Sequence, residues 1–281
     1  MTKLLSNKVK NDTGGNWDGY WSQESNAKQR DFFRDIWLDV SGLLSKFINQ
    51  HMNSDRRFSF IELGCGGGSF LPYLQKRYNN LDIFGIDTSL IGCKLALRRL
   101  DSIFSSVDIL CGDIIQSPLI SEKFDIVFSF GLIEHFDYPD MVLKKHVDLL
   151  KPGGLLICVV PNVIGLQGKI FGSKMWKRKD APPEHFRNYI WGMKRISIED
   201  LETWCSDIGL NDINVSPIGG IFPMFQMESY QPEKKLTSRK LIYYIYRYFL
   251  SLLFIAVNIP FLCRLDSLSF SPYLIAVGIK K

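Results

Sequence analysis

The sequence predicts an α/β fold in which helices cover both faces of a doubly wound, mostly parallel sheet. Short apolar runs alternate with amphipathic stretches through the first half of the chain, which is the pattern of strands that are buried on both faces. The first run breaks into a glycine-rich turn, and the next two runs each end close to an aspartate. Because successive parallel strands end at the same edge of a sheet, these groups are predicted to meet there.

The elements follow in order from the spacing of the apolar residues. Strands are predicted near residues 58–63, 82–86, 107–111, 124–130, 154–160, 212–217 and 272–279. Helices are predicted over residues 26–50, 69–79, 89–104 and 139–150, and another begins at Ser197, which forms a capping-box pattern with Asp200. His51, at the end of the first helix, and His146, within the fourth, are both predicted to lie at the surface.

The glycine-rich turn is the feature around which the site is predicted. Four glycines between residues 64 and 68 follow a strand that carries Glu62 near its end, and a helix comes next. Glycine tolerates positive φ and lets a ligand approach bare backbone, which suits a turn that binds a nucleoside or a phosphate. Asp87 comes 19 residues after Gly68, and an acid at this place can accept hydrogen bonds from two ribose hydroxyls.

These motifs together resemble those of the class I (Rossmann-like) S-adenosylmethionine-dependent methyltransferases, in particular their small-molecule branch. The resemblance rests on Glu62–Gly68, Asp87, Cys111–Ile114, Phe124–Phe130, Ile133–His135 and Leu150–Leu156. It covers about residues 17–220 and resumes at 271–281. It implies an enzyme that uses S-adenosylmethionine, and a seven-stranded sheet whose last strand is antiparallel.

The resemblance also implies roles for individual residues. The glycine turn would hold the methionine end and the sugar of the cofactor, Asp87 with Thr88 the ribose, and Asp113 with Ile114 the adenine. Phe130 closes the fourth strand, where the methyl group would project. The implied cofactor-binding residues are Glu62, Gly64, Cys65, Gly66, Gly68, Asp87, Thr88, Asp113, Ile114 and Phe130.

Three residues compete for the role of a catalytic base. Glu134 and His135 follow the fourth strand at the predicted active edge, and His185 lies in a segment where contacts with the acceptor are expected. Histidine has an ordinary pKa that suits proton removal near neutrality. The alternative for His135 is a structural or cofactor-contacting role. Methyl transfer from a sulfonium requires no metal, and none is predicted.

The predicted reaction is O-methylation of a small-molecule, glycan or lipid-linked acceptor by in-line transfer. The N-methylating branch of the family often carries Asn-Pro-Pro-Tyr or a similar motif after the fourth strand, where this chain has Ser129–Leu132. This departure disfavours N-methylation of DNA or of protein amides. N-methylation of a small-molecule amine and a non-catalytic S-adenosylmethionine-binding protein are the alternatives. The spacing of the glycine turn disfavours a nicotinamide-dependent dehydrogenase.

The composition, with 46% apolar and 22% charged residues, is that of a folded globular protein. The net charge is +5 and is concentrated in residues 165–195 and 232–264, which could meet an anionic substrate or membrane or be solvated loops. Six cysteines without a CxxC pair predict a reduced, cytoplasmic protein without structural metal. Nucleic acid is not a predicted partner, and a homodimer is one that the sequence leaves open.

The chain is predicted to contain a methyltransferase domain, residues 1–220 and 271–281, and a hydrophobic helical insertion, residues 221–270. Within the domain, residues 163–195 would form a lid or substrate-binding insertion. Leu241–Cys263 is dominated by apolar and aromatic side chains and follows a basic segment. A single crossing of a bilayer would separate the last strand from its sheet. This stretch is therefore predicted to lie against the inner face of the membrane or to pack as a cap or dimer helix.

Three aromatic residues, Trp17, Tyr20 and Trp21, crowd into the segment NWDGYW. They could cover a nucleoside or fasten the N-terminal segment to the core. The sequence alone leaves these two alternatives open.

Overall fold

The computed structural model describes residues 5–6, 17–26, 40–52, 56–100, 106–162, 194–219, 266–268, 271 and 273–281. Most of the predicted methyltransferase domain falls within these ranges. His185, most of the predicted lid and nearly all of the predicted insertion, including Leu241–Cys263, lie outside them. The division of the chain into domains therefore stays a prediction.

Eight described strands form one sheet. They are β1 (Leu5–Ser6), β2 (Phe58–Leu63), β3 (Leu81–Asp87), β4 (Val107–Cys111), β5 (Phe124–Phe130), β6 (Leu150–Pro161), β7 (Leu210–Ile218) and β8 (Tyr273–Lys280). Their spatial order is β1-β4-β3-β2-β5-β6-β8-β7. β8 runs antiparallel to both of its neighbours, β6 and β7, and all other pairs of the described strands are parallel. This arrangement confirms the predicted fold class, and the two-residue edge strand β1 adds to the seven predicted strands.

Six described helices and one short turn connect the strands. The helices are α1 (Trp17–Asn26), α2 (Val40–His51), α3 (Leu71–Arg77), α4 (Leu90–Arg99), α5 (Pro139–Leu149) and α6 (Ile198–Asp207), and the 3-10 turn is Ile133–His135. The Ser89 hydroxyl caps α4 by accepting a hydrogen bond from the Gly92 amide, and Ser197 and Asp200 form the predicted capping box of α6. Within the described residues, no helix combines the length and the apolar character that a membrane crossing needs.

The sheet separates two hydrophobic clusters because successive side chains of a strand point to opposite faces. Phe60 and Phe128 belong to one cluster, with ring centroids 6.0 Å apart, whereas Ile61 and Val127 belong to the other. Both faces of the central strands are therefore buried, as their continuous apolar runs predict. The packed sheet provides a rigid edge from which the residues of the site extend.

The predictions for two helical regions need correction. α1 is a helix that the apolar spacing did not reveal, and the helix predicted over residues 26–50 is described from Val40 onward. His51 is exposed at the end of α2, as predicted, but His146 is fully buried rather than at the surface. The ring Nδ1 lies 2.7 Å from the Val142 carbonyl of its own helix, and this hydrogen bond allows a polar ring to lie inside the core.

The end of β6, the end of β7 and the start of β8 meet at one edge of the sheet. Pro161, which ends β6, and Ile218, which ends β7, both pair with Tyr273, the first residue of β8. Residues 163–193 follow β6, and residues 220–265 lie between β7 and β8. Both of these segments therefore start at the edge where β2, β3 and β5 also end.

Candidate active site

The glycine turn between β2 and α3 has a backbone conformation that requires glycine. Gly64, Gly66 and Gly68 have φ values of 71°, 47° and 67°, in the left-handed region that residues with a Cβ rarely adopt. The amides of Gly64 and Cys65 donate to the carbonyl of Ile86 at 2.8 and 3.1 Å, and the Cys65 side chain is buried in the core. The turn is thereby fixed to the end of β3.

Asp87, the last residue of β3, holds the turn from the other side. Its Oδ2 accepts a hydrogen bond from the Gly66 amide at 2.8 Å, and its Oδ1 accepts one from the Ser89 amide at 2.7 Å. Burial raises the pKa of Asp87 to about 6; the two hydrogen bonds counteract this rise, and the nearby charge of Asp18 adds to it. Each carboxylate oxygen keeps a second lone pair, so Asp87 can still accept hydrogen bonds from ribose hydroxyls.

Glu62 brings a second buried carboxyl group to the turn. The residue is 3% exposed, and its Oε2 has no hydrogen-bond partner among the described residues. Burial raises the pKa of Glu62 well above its ordinary value, and the charge of Asp87 raises it further. A buried carboxyl group in this state is costly unless a ligand supplies a donor or a positive charge. S-adenosylmethionine carries an amino group and a sulfonium, so the residues that are present fit this cofactor.

The residues that follow β4 are those predicted to hold the adenine. Asp113 is buried, and its Oδ1 accepts a hydrogen bond from the Ile115 amide at 2.7 Å, which fixes the turn. Ile114 is also buried and belongs to one of the two hydrophobic clusters. The Cys111 thiol donates to the Thr88 carbonyl at 3.7 Å. This contact brings the predicted ribose and adenine groups to the same edge of the sheet.

Glu134 and His135 lie together in the 3-10 turn that follows β5. Glu134 Oε1 is 3.7 Å from His135 Nε2, while Glu134 Oε2 and His135 Nδ1 are buried without a hydrogen-bond partner in the described part of the chain. Burial raises the pKa of Glu134 to about 8 and lowers that of His135 to about 4. Near neutral pH, Glu134 is therefore mostly a carboxylic acid and His135 a neutral imidazole.

Phe130, predicted beside the transferred methyl group, ends β5 next to this turn. Its ring packs against those of Phe70 and Tyr273, with centroid distances of 5.1 and 4.8 Å. Gly131 follows with a φ of 66°, and a Cβ at this position would lie 3.4 Å from Glu134 Oε1. The backbone that follows Phe130 therefore passes close to the buried carboxyl group of Glu134.

α1 packs on the glycine turn through its aromatic residues. A Cβ on Gly66 would lie 1.9 Å from the Trp21 indole, and one on Gly92 would lie 3.0 Å from the same side chain. The Trp17 ring packs edge-on against the His135 ring, with centroids 5.0 Å apart. The aromatic cluster thus fastens the N-terminal segment to the domain, which is one of its two predicted roles.

Two residues of this region were missed by the sequence analysis. Asp18 Oδ1 accepts a hydrogen bond from the Ser89 hydroxyl at 2.6 Å, and Arg99 Nη1 donates to the Gly67 carbonyl at 3.0 Å. Neither residue belongs to a recognisable motif. Their contacts join elements that are distant in the sequence, so a single sequence carries no signal for them.

Residues 61–158 match the family model described as "Methyltransferase domain". Together with the strand order and the glycine turn, this match confirms the predicted class: the chain carries a class I S-adenosylmethionine-dependent methyltransferase domain. The prediction of S-adenosylmethionine as the cofactor is confirmed as well. The small-molecule branch and the roles of individual residues stay predictions.

Curated relatives share the methyltransferase part of the chain. The malonyl-[acyl-carrier protein] O-methyltransferase of Priestia megaterium is 26% identical over 138 residues, which are 47% of this chain and 47% of that protein. The ubiquinone biosynthesis O-methyltransferase of Maricaulis maris is 27% identical over 151 residues, which are 51% of this chain and 57% of that protein. The chain spans about half the length of the curated relatives that it matches.

A solved structure shares the fold at low sequence identity. It is that of phosphoethanolamine N-methyltransferase 2 of Haemonchus contortus, in complex with phosphomonomethylethanolamine and S-adenosylhomocysteine. The TM-score is 0.54 at 17% identity, and the alignment covers 85% of this chain and 52% of that chain. This likeness concerns the fold alone.

Proposed function

We propose that the protein transfers a methyl group from S-adenosylmethionine to a hydroxyl group of a small-molecule, glycan or lipid-linked acceptor. The observation that carries this proposal is the Glu134–His135 pair, in which both side chains are buried and each has an atom without a partner among the described residues. Such atoms are costly unless a bound molecule pairs with them. An acceptor hydroxyl can do so, because it both donates and accepts hydrogen bonds.

S-adenosylmethionine supplies an activated methyl group for an in-line displacement. In the proposed reaction, Glu62 and Asp87 hold and orient it, and Glu134 removes the acceptor proton. Of the two described candidates for the base, Glu134 suits this role better, because a pKa raised to about 8 is closer to the working pH than that of His135, lowered to about 4. As the oxygen–methyl bond forms, the carbon–sulfur bond breaks and its electron pair stays on sulfur.

His135 has a different part in this proposal. Its neutral ring lies beside Glu134 and keeps one nitrogen with a lone pair and one with a proton. The ring can therefore share a hydrogen bond with the acceptor oxygen while Glu134 takes the proton. His185 stays a predicted alternative base, since it lies outside the described residues.

The test of this proposal uses S-adenosylmethionine labelled in its methyl group. The full chain is incubated with small-molecule, glycan and lipid fractions, and transfer is measured from pH 6 to pH 9. Labelling of an oxygen is expected, with a rate that is half-maximal near pH 8, the pKa of Glu134, and that levels off above it. Glu134→Gln is expected to lower turnover by about a hundredfold or more while the affinity for S-adenosylhomocysteine is kept. Cofactor binding without transfer to any fraction would instead favour the non-catalytic binding protein.

N-methylation of a small-molecule amine is the second candidate, and the same carboxyl group favours it. A protonated amine next to Glu134 would pair with the carboxylate form and compensate for its burial. The absence of an Asn-Pro-Pro-Tyr motif at Ser129–Leu132 disfavours N-methylation of DNA or of a protein amide, and it leaves a small-molecule amine as the nitrogen acceptor to be tested. Mass spectrometry of the labelled product, which identifies the methylated atom, distinguishes the two reactions.

We further propose that residues 220–265 bring the domain to the inner face of a membrane. The support is the apolar stretch Leu241–Cys263 and the pairing of Ile218 with Tyr273, because a segment that starts and ends at one sheet edge does not suit a single crossing. A lipid-linked acceptor would be reached most easily from such a position. Packing of the stretch as a cap or as a dimer helix is the alternative, and a cytoplasmic location stays a prediction.

A further inference from the structure

The His135 ring is oriented by packing and not by a hydrogen bond to any described residue. Its Nδ1 is buried without a partner among those residues, and its Nε2 is 3.7 Å from Glu134 Oε1, which is too far for a hydrogen bond. The edge-on contact with the Trp17 ring, at 5.0 Å between centroids, is the aromatic contact described for this ring. The His135 side chain is only 7% exposed, so Trp17 lies on a ring that has little room to turn.

α1, which carries Trp17, is attached to the domain at the glycine turn. Asp18 Oδ1 accepts hydrogen bonds from the Ser89 hydroxyl at 2.6 Å and from the Ile91 amide at 3.2 Å. The Trp21 indole fills the space beside Gly66 that a side chain at that position would need. These two attachments lie at the proposed cofactor site, whereas the contact of Trp17 lies at the proposed acceptor site.

We propose that Trp17 is a positioning residue for His135, and that Asp18 and Trp21 act through α1 to keep Trp17 in place. One short helix would then connect the turn that holds the cofactor to the ring that contacts the acceptor. Removing either attachment would loosen the His135 ring, although neither Asp18 nor Trp21 belongs to the Glu134–His135 pair. The inference uses the site described above but depends neither on the identity of the acceptor nor on the atom that is methylated.

The consequence can be measured as a change in the titration of His135. Burial lowers the pKa of His135 to about 4 from its ordinary 6.5. The ionisable groups of the neighbouring elements are Glu134, at 3.7 Å, and Lys194, whose amide donates to the Glu134 carbonyl and whose ammonium donates to the Asp137 carbonyl. Substitutions of Trp17 and Trp21 leave these groups unchanged, whereas Asp18→Ala also removes a carboxylate of α1, which by itself would lower the pKa of His135. A loss of the shielding by Trp17 would therefore raise the pKa of His135 towards 6.5 by admitting water.

The experiment is an NMR titration of the imidazole Cε1–H signals in the full chain, which contains four histidines. Trp17→Ala is expected to raise the pKa of His135 by at least one unit, and Trp17→Phe, which keeps an aromatic edge, is expected to leave it low. His146 is the internal control, because its burial lowers its own pKa to about 4 and its hydrogen bonds are with Val142 and Ser129, which lie outside α1. If Trp17→Ala unfolds the protein, the pKa of His146 also rises to its ordinary value. Trp17→Leu is then used instead of Trp17→Ala, and a smaller rise in the pKa of His135 is expected.

The attachments of α1 are tested with Asp18→Ala and Trp21→Ala. Both variants are expected to raise the pKa of His135, as Trp17→Ala does. The matched control is Met141→Ala, which removes a large side chain that is close to His135 in the sequence but 65% exposed, and it should change nothing. An unchanged His135 titration in folded Trp17→Ala would overturn the positioning role. An unchanged titration in folded Asp18→Ala and Trp21→Ala would overturn the role of the attachments.

These titrations need neither an acceptor nor turnover. A protein that shows the expected shifts but transfers no methyl group would therefore refute the proposed function and leave this inference intact. A protein that transfers methyl groups but shows no shift in any α1 variant would do the reverse.

Discussion

The imidazole of His146 and the hydroxyl of Ser129 form a hydrogen bond of 2.9 Å inside the core. The ring Nδ1 lies 2.7 Å from the Val142 carbonyl, which can only accept, so Nδ1 carries the proton and Nε2 accepts the hydroxyl proton of Ser129. Both ring nitrogens are thus satisfied although the residue is fully buried. The pair fastens α5 to the end of β5, directly before the turn that carries the Glu134–His135 pair.

Ser129→Ala is expected to destabilise the protein without disturbing the fold. The substitution leaves His146 Nε2 buried without a donor, which costs about 1–3 kcal/mol in the free energy of unfolding. Urea denaturation followed by circular dichroism measures the change. Ser206→Ala on α6, where the serine is exposed, is the matched control and should change the stability by less than about 0.5 kcal/mol. Equal stabilities of the two variants would contradict the role of the pair.

The stability contributed by a neutral His146 is expected to be lost in acid. Burial lowers the pKa of His146 to about 4, whereas the unfolded chain takes up the proton near the ordinary value of 6.5. Between these values the unfolded state binds more protons than the folded state. The contribution is therefore complete above pH 6.5 and decreases as the pH falls from 6.5 to 4.

A comparison with His146→Gln isolates this effect, because glutamine can form hydrogen bonds but does not titrate. The raised pKa values of Glu62, Asp87 and Glu134 have the opposite sign and favour the folded state in acid, but they are common to both proteins and cancel. The free energy of unfolding of the wild type, relative to that of His146→Gln, should decrease from pH 7 to pH 4.5. Well below pH 6.5, the decrease should be about 1.4 kcal/mol per pH unit. A constant difference would show that His146 is not buried in its neutral form.

Cofactor affinity is expected to depend on Asp87 and not on Asp82, which lies on the same strand. Asp87 accepts the Gly66 amide and is predicted to accept ribose hydroxyls, so Asp87→Ala should weaken binding by about 1–3 kcal/mol. Asp82 is the control, because it is held by Arg57 through hydrogen bonds of 2.9 and 2.6 Å near the start of β3. Calorimetric titration with S-adenosylhomocysteine measures both variants. An unchanged affinity in folded Asp87→Ala would show that the ribose assignment is wrong.

Gly66→Ala is expected to be far more damaging than Gly153→Ala, although both glycines have positive φ. At Gly66 the φ is 47° and the new Cβ would lie 1.9 Å from Trp21, so either the turn or α1 must move. At Gly153 the φ is 74° and a Cβ would meet nothing within 4 Å, which leaves backbone strain of about 1–2 kcal/mol alone. Thermal unfolding and cofactor titration are the two measurements. Comparable loss of cofactor affinity in both variants would contradict the local steric explanation.

The central fold could be predicted from the sequence because its signals are local. Apolar runs and the glycine turn depend on neighbouring residues, and so β2 and β5 appear within the predicted bounds. α1 could not be predicted in this way, because its side chains pack on the glycine turn and on His135 and so give no apolar stripe. The buried position of His146 was missed for a similar reason, since its hydrogen bond to Ser129 joins two separate elements.

For the candidate site, the sequence motifs indicate which residues to consider, and the roles of these residues stay predictions. The motifs identified Asp87 and the Glu134–His135 pair, but they could not indicate which carboxyl groups would be buried without partners. Burial depends on the whole packed domain, and it is burial that gives Glu134 its raised pKa and Glu62 its need for a cationic ligand. The contacts of Asp18 are likewise created only by the fold.

Membrane binding through Leu241–Cys263 is expected to be reversible and partly electrostatic. Burial of each apolar side chain in the bilayer interface would contribute about 1.5–3 kcal/mol, and each basic residue of Lys234–Lys240 would contribute about 1 kcal/mol near anionic lipid. Co-sedimentation with anionic and neutral vesicles at low and high salt measures the attachment. The full chain should sediment best with anionic vesicles at low salt, and replacement of the basic residues of Lys234–Lys240 by glutamine should remove most of the salt dependence. A protein that stays in the supernatant under every condition, and is monodisperse without detergent, would leave a packed cap or dimer helix as the role of this stretch.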